Sequence, residues 1–282
     1  MKLEKKRILI QKISHLPTLP TVLTKIIELT DSRTGNARTL GDLLSRDPSI
    51  SSTILKLVNS AFYGNLRHIS SIHHATVILG FEMVKTIAMG VSIFNAEGSD
   101  EQRFDRKELW THSIGVATLA RIMGEKMDIP VSGDTIFLSG LIHDIGKVVF
   151  DNYFVDEYRE VYDLVHQQPI WIGDAEYQIL GMNHCDAGFY LGRKWQFPAT
   201  VVDAIRFHHT LEKCDEKNGP LCALVQAADF GCRRINLGSG GGNEPPELQP
   251  EVEQFGVTAA LMDDALAELE AQRDAVESFV KD

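Results

Sequence analysis

Cysteine, positive charge and long apolar runs are all scarce in this chain, and each shortage removes a class of protein. The four cysteines, Cys185, Cys214, Cys222 and Cys232, include no C-x-x-C spacing. No disulfide framework is therefore expected, and they read as reduced thiols used in packing. Lys and Arg number 28 against 39 Asp and Glu, a formal net charge of -11. Such a surface has no broad basic field for nucleic acid or an anionic membrane, although a local cluster can still hold a small anionic ligand. No apolar run approaches the length of a membrane span. Residues 1–7 are followed only by Ile8-Leu9-Ile10, too short for a signal peptide. A cytoplasmic location without a membrane span is the expectation. Alternating apolar and polar residues are almost absent from the first half, and no solenoid-like repeat is evident.

What remains is an ordinary globular composition, 44% hydrophobic and 24% charged over 282 residues. A chain of that length can bury a core without disulfides or metal to help it fold. Residues 1–95 read as short helices. Leu16-Pro-Thr-Leu-Pro20 is a punctuated turn, and Val22, Ile26, Ile27 and Leu29 then recur at helical spacing. Thr39 can cap a helix through Leu40, Leu43 and Leu44. Asp47-Pro48 is an N-cap with proline at the first helical position, and Ser70-Ser71 caps a helix that Gly80 separates from the next. His68, His73 and His74 read as capping or surface imidazoles. The polar stretch 96–105 is a domain boundary. Residues 106–235 form a helical core, 236–256 a glycine- and proline-rich flexible loop, and 257–282 an amphipathic helix beginning at Thr258. That last helix packs either on the domain or on a second copy, so self-association stays open.

The chemistry lies beyond residue 105. At the centre stands Leu141-Ile142-His143-Asp144-Ile145-Gly146-Lys147. An imidazole and a carboxylate side by side on an apolar helix are costly unless both find partners. His143 could be a cap with Asp144 paired to Lys147, or the two could be ligands. Glu108 and His112 are four apart, on one helix face. Glu176 opens a helical stretch reaching His184, and Trp171 reads as a core or edge aromatic. His208-His209 ends an apolar helix. Asp229 is the only charge in another and needs a metal, Arg233 or Arg234 as partner. Together Glu108, His112, His143, Asp144, His184, His208, His209 and Asp229 supply nitrogen and oxygen donors without thiolate. That set suits iron, manganese, nickel or zinc, and it is too large for one tetrahedral zinc. Two or more ions are expected. Asp144 would bridge them, and Lys147 would offer a cation to a phosphate.

His112, His143-Asp144 and Asp229 resemble the H…HD…D signature of the HD superfamily of metal-dependent phosphohydrolases. His184, His208 and His209 are similar to the additional ligands of its HD-GYP branch, and Glu108 to the glutamate used where a third metal is held. The chain also resembles the HDOD family, the HD-related output domain. That likeness rests on Leu16–Pro20, Asp47-Pro48, Leu57-Val-Asn-Ser-Ala-Phe-Tyr-Gly64, Ile69-Ser-Ser-Ile72, Leu79-Gly80, Phe137–Lys147 and Trp195-Gln-Phe-Pro198. It covers roughly residues 13–235.

The resemblance implies an all-α fold, an HD-like multi-helix bundle preceded by a smaller N-terminal helical part. It also implies a bacterial signal-transduction role. Many HDOD domains have lost the metal ligands, whereas this chain keeps them. It departs from HD-GYP in having Thr210-Leu211 after His208-His209 and no Gly-Tyr-Pro between Glu212 and Pro220, so cyclic-dinucleotide hydrolysis is not carried over. Two readings follow. One is a regulatory domain contacting signalling proteins or a small phosphate or nucleotide ligand. The other is a metal-dependent phosphohydrolase or phosphodiesterase with Asp144 and Lys147 as catalytic residues.

Overall fold

A computed structural model describes residues 9–11, 13, 21–31, 35–59, 68–94, 105–242 and 248–278, and every regular element among them is helical. The all-α expectation holds. The turn at 16–20, residues 60–64 of the family-like motif, the boundary stretch 96–104, Glu244-Pro245-Pro246 and Val280 lie outside the described residues. Contacts divide the chain into two units, Pro17–Ala96 and Met1–Leu16 together with Glu97–Asp282.

The smaller unit contains α1 (Thr21–Asp31), α2 (Ala37–Leu44), α3 (Pro48–Asn59), α4 (Ile72–Leu79) and α5 (Phe81–Phe94). Their apolar stripes meet, with Ile26, Leu40, Leu44, Ile54, Leu57, Val84 and Ile87 all buried. Asp47 caps α3 by accepting from the Ile50 amide at 3.0 Å, and Ser71 caps α4 by accepting from the His74 amide at 3.2 Å. The cap of α2 is Asn36 rather than Thr39. The Asn36 side chain accepts from Arg38 and Thr39, and the Thr39 hydroxyl accepts from the Asn36 amide, a reciprocal capping box. The spacing alone could not separate a cap from its partner three residues on. His73 is a surface residue paired with Asp42 at 2.9 Å.

The larger unit is built on α6 (Arg106–Glu125), α7 (Gly133–Ile142) and α13 (Gly219–Arg234), which pack on one another. Around them lie α8 (Ile145–Tyr153), α9 (Val155–Gln167), α10 (Ile172–Ile179), α11 (His184–Lys194) and α12 (Ala199–Phe207). Helices α14 (Ala259–Glu270) and α15 (Arg273–Ser278) close the set, each against α6. Thus the C-terminal stretch is two helices packed on its own unit, with Thr258 capping the first by accepting from Leu261 at 3.2 Å. Within the stretch read as a loop, Leu237 is buried and Pro250–Phe255 form a 3-10 helix against α13. Leu9 and Ile13 are buried here too, and the Ile13 carbonyl accepts from Lys194.

Two close crossings bring the polar residues together. A Cβ on Gly140 would lie 2.6 Å from the Ala117 Cα, so α7 can rest directly on the backbone of α6. A Cβ on Gly146 would lie 1.9 Å from the His184 carbonyl oxygen, so the start of α8 touches the start of α11. Glycine at both places lets His112, His143-Asp144 and His184 share one interior space.

Candidate metal centre

His143 ends α7 and Asp144 precedes α8, so the central pair sits at a helix–helix junction rather than within one helix. His112 lies on the buried face of α6, His184 opens α11, His208 ends α12 and Asp229 lies on α13. All of these and His209 are buried, the most open being His209 at 8%. Three groups of side chains bring their donor atoms within 4.8 Å of one another and could hold a metal ion. They are His112, His143 and Asp229; His143, Asp144 and His208; and His184, Cys185, His208 and His209.

Outer partners orient the imidazoles. His143 Nδ1 lies 2.7 Å from the Gly140 carbonyl, His208 Nδ1 2.8 Å from the Ile205 carbonyl, and His184 Nδ1 2.7 Å from Glu176 Oε2. An oxygen that only accepts requires the facing nitrogen to carry the proton, so in the neutral form of each of these imidazoles Nε2 keeps its lone pair. Those lone pairs converge. His143 Nε2 is 3.3 Å from Asp144 Oδ2, while Asp144 Oδ1 is 3.5 Å from His184 Nε2 and 3.8 Å from His208 Nε2. On the other side, Asp229 Oδ1 lies 3.0 Å from His112 Nε2 and 4.0 Å from His143 Nε2. Its Oδ2 lies 3.9 Å from His209 Nε2.

Each aspartate also has a cation on its own segment. Lys147 Nζ donates to Asp144 Oδ2 at 2.8 Å, and Arg233 Nη1 sits 2.6 Å from both oxygens of Asp229. Burial raises the cost of ionising Asp144, but His143 and Lys147 hold its carboxyl well below the usual carboxylate range. Burial acts likewise on Asp229, and Arg233 and His112 outweigh it. Burial and the neighbouring His208 push His209 well below the ordinary imidazole value, keeping it neutral.

These ion pairs do not complete the site. His143 Nε2, Asp144 Oδ1 and His184 Nε2 are buried without a hydrogen-bond partner. An orphaned buried polar group costs about 1–3 kcal/mol. Three such atoms facing one space, with their opposite sides already satisfied, are what a divalent ion would complete.

The other expected residues are less central. The Glu108 side chain is exposed one turn before His112 and belongs to none of the three groups. Lys147 is wholly buried against Asp144. Sequence reasoning missed Glu176 as a functional residue. Its Oε2 accepts from both the amide and Nδ1 of His184 at 2.7 Å, and its Oε1 accepts from the Tyr158 hydroxyl at 3.2 Å. The available signal was a lone acid on the apolar face of α10, beside Ile172 and Ala175. The Trp171 ring meets His184 and His209 edge-on, at 6.3 and 5.2 Å between centroids.

An all-helical unit with a buried His/Asp cluster at a helix junction defines a protein with an HD-type core. The chain belongs to the HDOD domain family, whose model matches residues 16–211. An HDOD domain protein of unknown function from Geobacter sulfurreducens has a similar crystal structure. It is 26% identical with a TM-score of 0.72, and the match covers 100% of this chain and 97% of that one. A candidate signal transduction protein from Marinobacter aquaeolei shares the fold at 20% identity and a TM-score of 0.72, over 100% of this chain and 66% of its own. An uncharacterized protein of Treponema pallidum is 25% identical over 229 residues, 80% of this chain. This chain spans 44% of that relative's length. No helix among the described residues is long and apolar enough to cross a membrane.

Proposed function

We propose that this is a bacterial regulatory HDOD module holding a two-metal centre, with output through contacts to signalling proteins or a small phosphate or nucleotide ligand. His112, His143, Asp144 and Asp229 would hold one ion, and Asp144, His184, His208 and His209 the other, with Asp144 between them. The observation that carries this reading is the orphaned trio His143 Nε2, Asp144 Oδ1 and His184 Nε2. The all-nitrogen-and-oxygen core of the set favours iron, manganese, nickel or zinc. Glu108, exposed at the edge, leaves a third ion without a buried ligand of its own.

Membership of the HDOD family, whose model matches residues 16–211, favours the regulatory role over turnover.

The second reading, hydrolysis of a phosphoester, is favoured by the retained ligand set together with Lys147. Bound metal would supply Lewis acidity and a water of lowered pKa. Asp144 would stay ionised between the ions, with Lys147 the cation nearest a phosphate. Metal-loaded protein incubated with cyclic nucleotides, cyclic dinucleotides and generic phosphodiesters separates the readings. The regulatory reading expects full metal occupancy, by elemental analysis, without turnover. Turnover lost in Asp144→Asn would overturn it, and absence of stoichiometric metal would sink both.

Glu176 provides a further check. Glu176→Gln keeps the size but removes the charge that orients His184, and loss of such an outer partner typically weakens metal binding about 10- to 100-fold. Competition with a chromophoric chelator measures this. An unchanged affinity would mean that His184 is not a ligand.

A further inference from the structure

The cysteines read from sequence as packing thiols are not equivalent. Cys185 and Cys232 are buried, but Cys214 is half-buried and its Sγ lies 3.1 Å from the Sγ of buried Cys222. A disulfide needs about 2.05 Å, so the sulfurs have roughly 1 Å to close. Cys214 follows the 3-10 turn Leu211–Lys213 on extended backbone, and Cys222 lies in the first turn of α13.

We propose that Cys214 and Cys222 are a redox modification site, joined as a reversible intramolecular disulfide when the protein meets a hydroperoxide. The Cys214 thiolate attacks the peroxide O–O bond, forming an S–O bond and expelling hydroxide. Cys222 sulfur then attacks Cys214 sulfur, the S–O bond breaks, and the leaving oxygen departs as water with the proton from Cys222. In total, two thiols and one hydrogen peroxide give one disulfide and two waters, the sulfurs losing two electrons.

The environment assigns the roles. Hydrogen bonding from Cys222 lowers the pKa of the Cys214 thiol, despite partial burial and the nearby Asp203 and Asp215. The same contact and burial push Cys222 up, keeping it the protonated resolving partner. Thiolate character with solvent access is what peroxide reaction requires.

The pair also occupies a telling place. Cys214 lies just beyond His208-His209, and Cys222 shares α13 with Gln226 and Asp229. Gln226 Nε2 donates to the His208 carbonyl at 2.8 Å, and Gln249 Nε2 donates to the His209 carbonyl at 3.2 Å. A disulfide would tie the segment presenting the two histidines to the helix presenting the aspartate. The sulfur chemistry itself is independent of whether metal binds.

The test treats full-length protein with hydrogen peroxide, unfolds it, alkylates the free thiols and maps the peptides by mass spectrometry without reduction. The expected result is a Cys214–Cys222 cross-linked peptide, with Cys185 and Cys232 alkylated, all reversed by dithiothreitol. In Cys222→Ser, Cys214 should be trapped as a sulfenic acid by dimedone. In Cys214→Ser, a half-buried change that keeps the test readable if the first variant does not fold, Cys222 should stay fully alkylatable. Four alkylatable thiols after oxidation, a Cys214 sulfinic acid beside free Cys222, or linkage only between molecules would overturn the proposal.

Discussion

Asp144→Asn is expected to reduce transition-metal affinity more than about 100-fold, beyond the loss usual for an outer partner. Asp144 Oδ1 faces His184 and His208 while Oδ2 lies beside His143, so one neutralised carboxylate weakens both proposed ion positions. Asparagine is the informative change because it can still accept from Lys147. Alanine would remove the acceptor that the buried ammonium uses at 2.8 Å, and breaking a buried pair commonly costs about 3–5 kcal/mol. Metal content, chelator competition and melting temperature read the outcome together. Wild-type protein at free metal about 1,000 times its dissociation constant should gain roughly 4 kcal/mol over the chelated form. For a unit of this size that is about 8–16 °C in Tm. Asp144→Asn should lose most of that increment. Wild-type affinity in the variant would remove Asp144 from the centre.

Gly146→Ala should be the most damaging single-methyl change near the site. The added Cβ would meet the His184 oxygen at 1.9 Å, its carbonyl carbon at 2.7 Å and its Cα at 2.9 Å. These are backbone atoms, so no side-chain rotation relieves the clash, and α8 must move away from α11. Overpacking typically costs about 1–3 kcal/mol, and a backbone clash belongs at or above the top of that range. A fall in Tm of about 6–12 °C follows for a unit of this size. Metal affinity should drop with it, since the shift parts Asp144 from His184. A variant melting within about a degree of wild type would show that the two helix starts are not in contact.

Much of this arrangement was legible beforehand because local chemistry expresses it. Asp47-Pro48 and Ser71 announced helix starts through short-range capping, and the apolar stripes announced helices throughout. The His143-Asp144 pair stood out because both side chains are expensive on an apolar helix. Capping detail was less legible. Asn36 and Thr39 are both good cap formers, and only the backbone shows which residue has left the helix. The single helical stretch expected from Glu176 to His184 is two helices, broken after Ile179 with Gly181 at φ +84°.

The amino-acid sequence by itself determined the helical class, the family resemblance and the inventory of imidazoles and carboxylates, since these depend on residue type and short spacing. Only the tertiary structure decided which of them meet. His112 and Asp229, 117 positions apart, lie 3.0 Å from each other, while the Glu108 side chain one turn from His112 stays at the surface. It also decided which nitrogens of His143, His184 and His208 face the centre, that Glu176 holds His184, and that Cys214 touches Cys222. The physical reason is common to all four. Burial, lone-pair direction and sulfur contact arise from helices packing against one another, and no local spacing encodes which faces will meet.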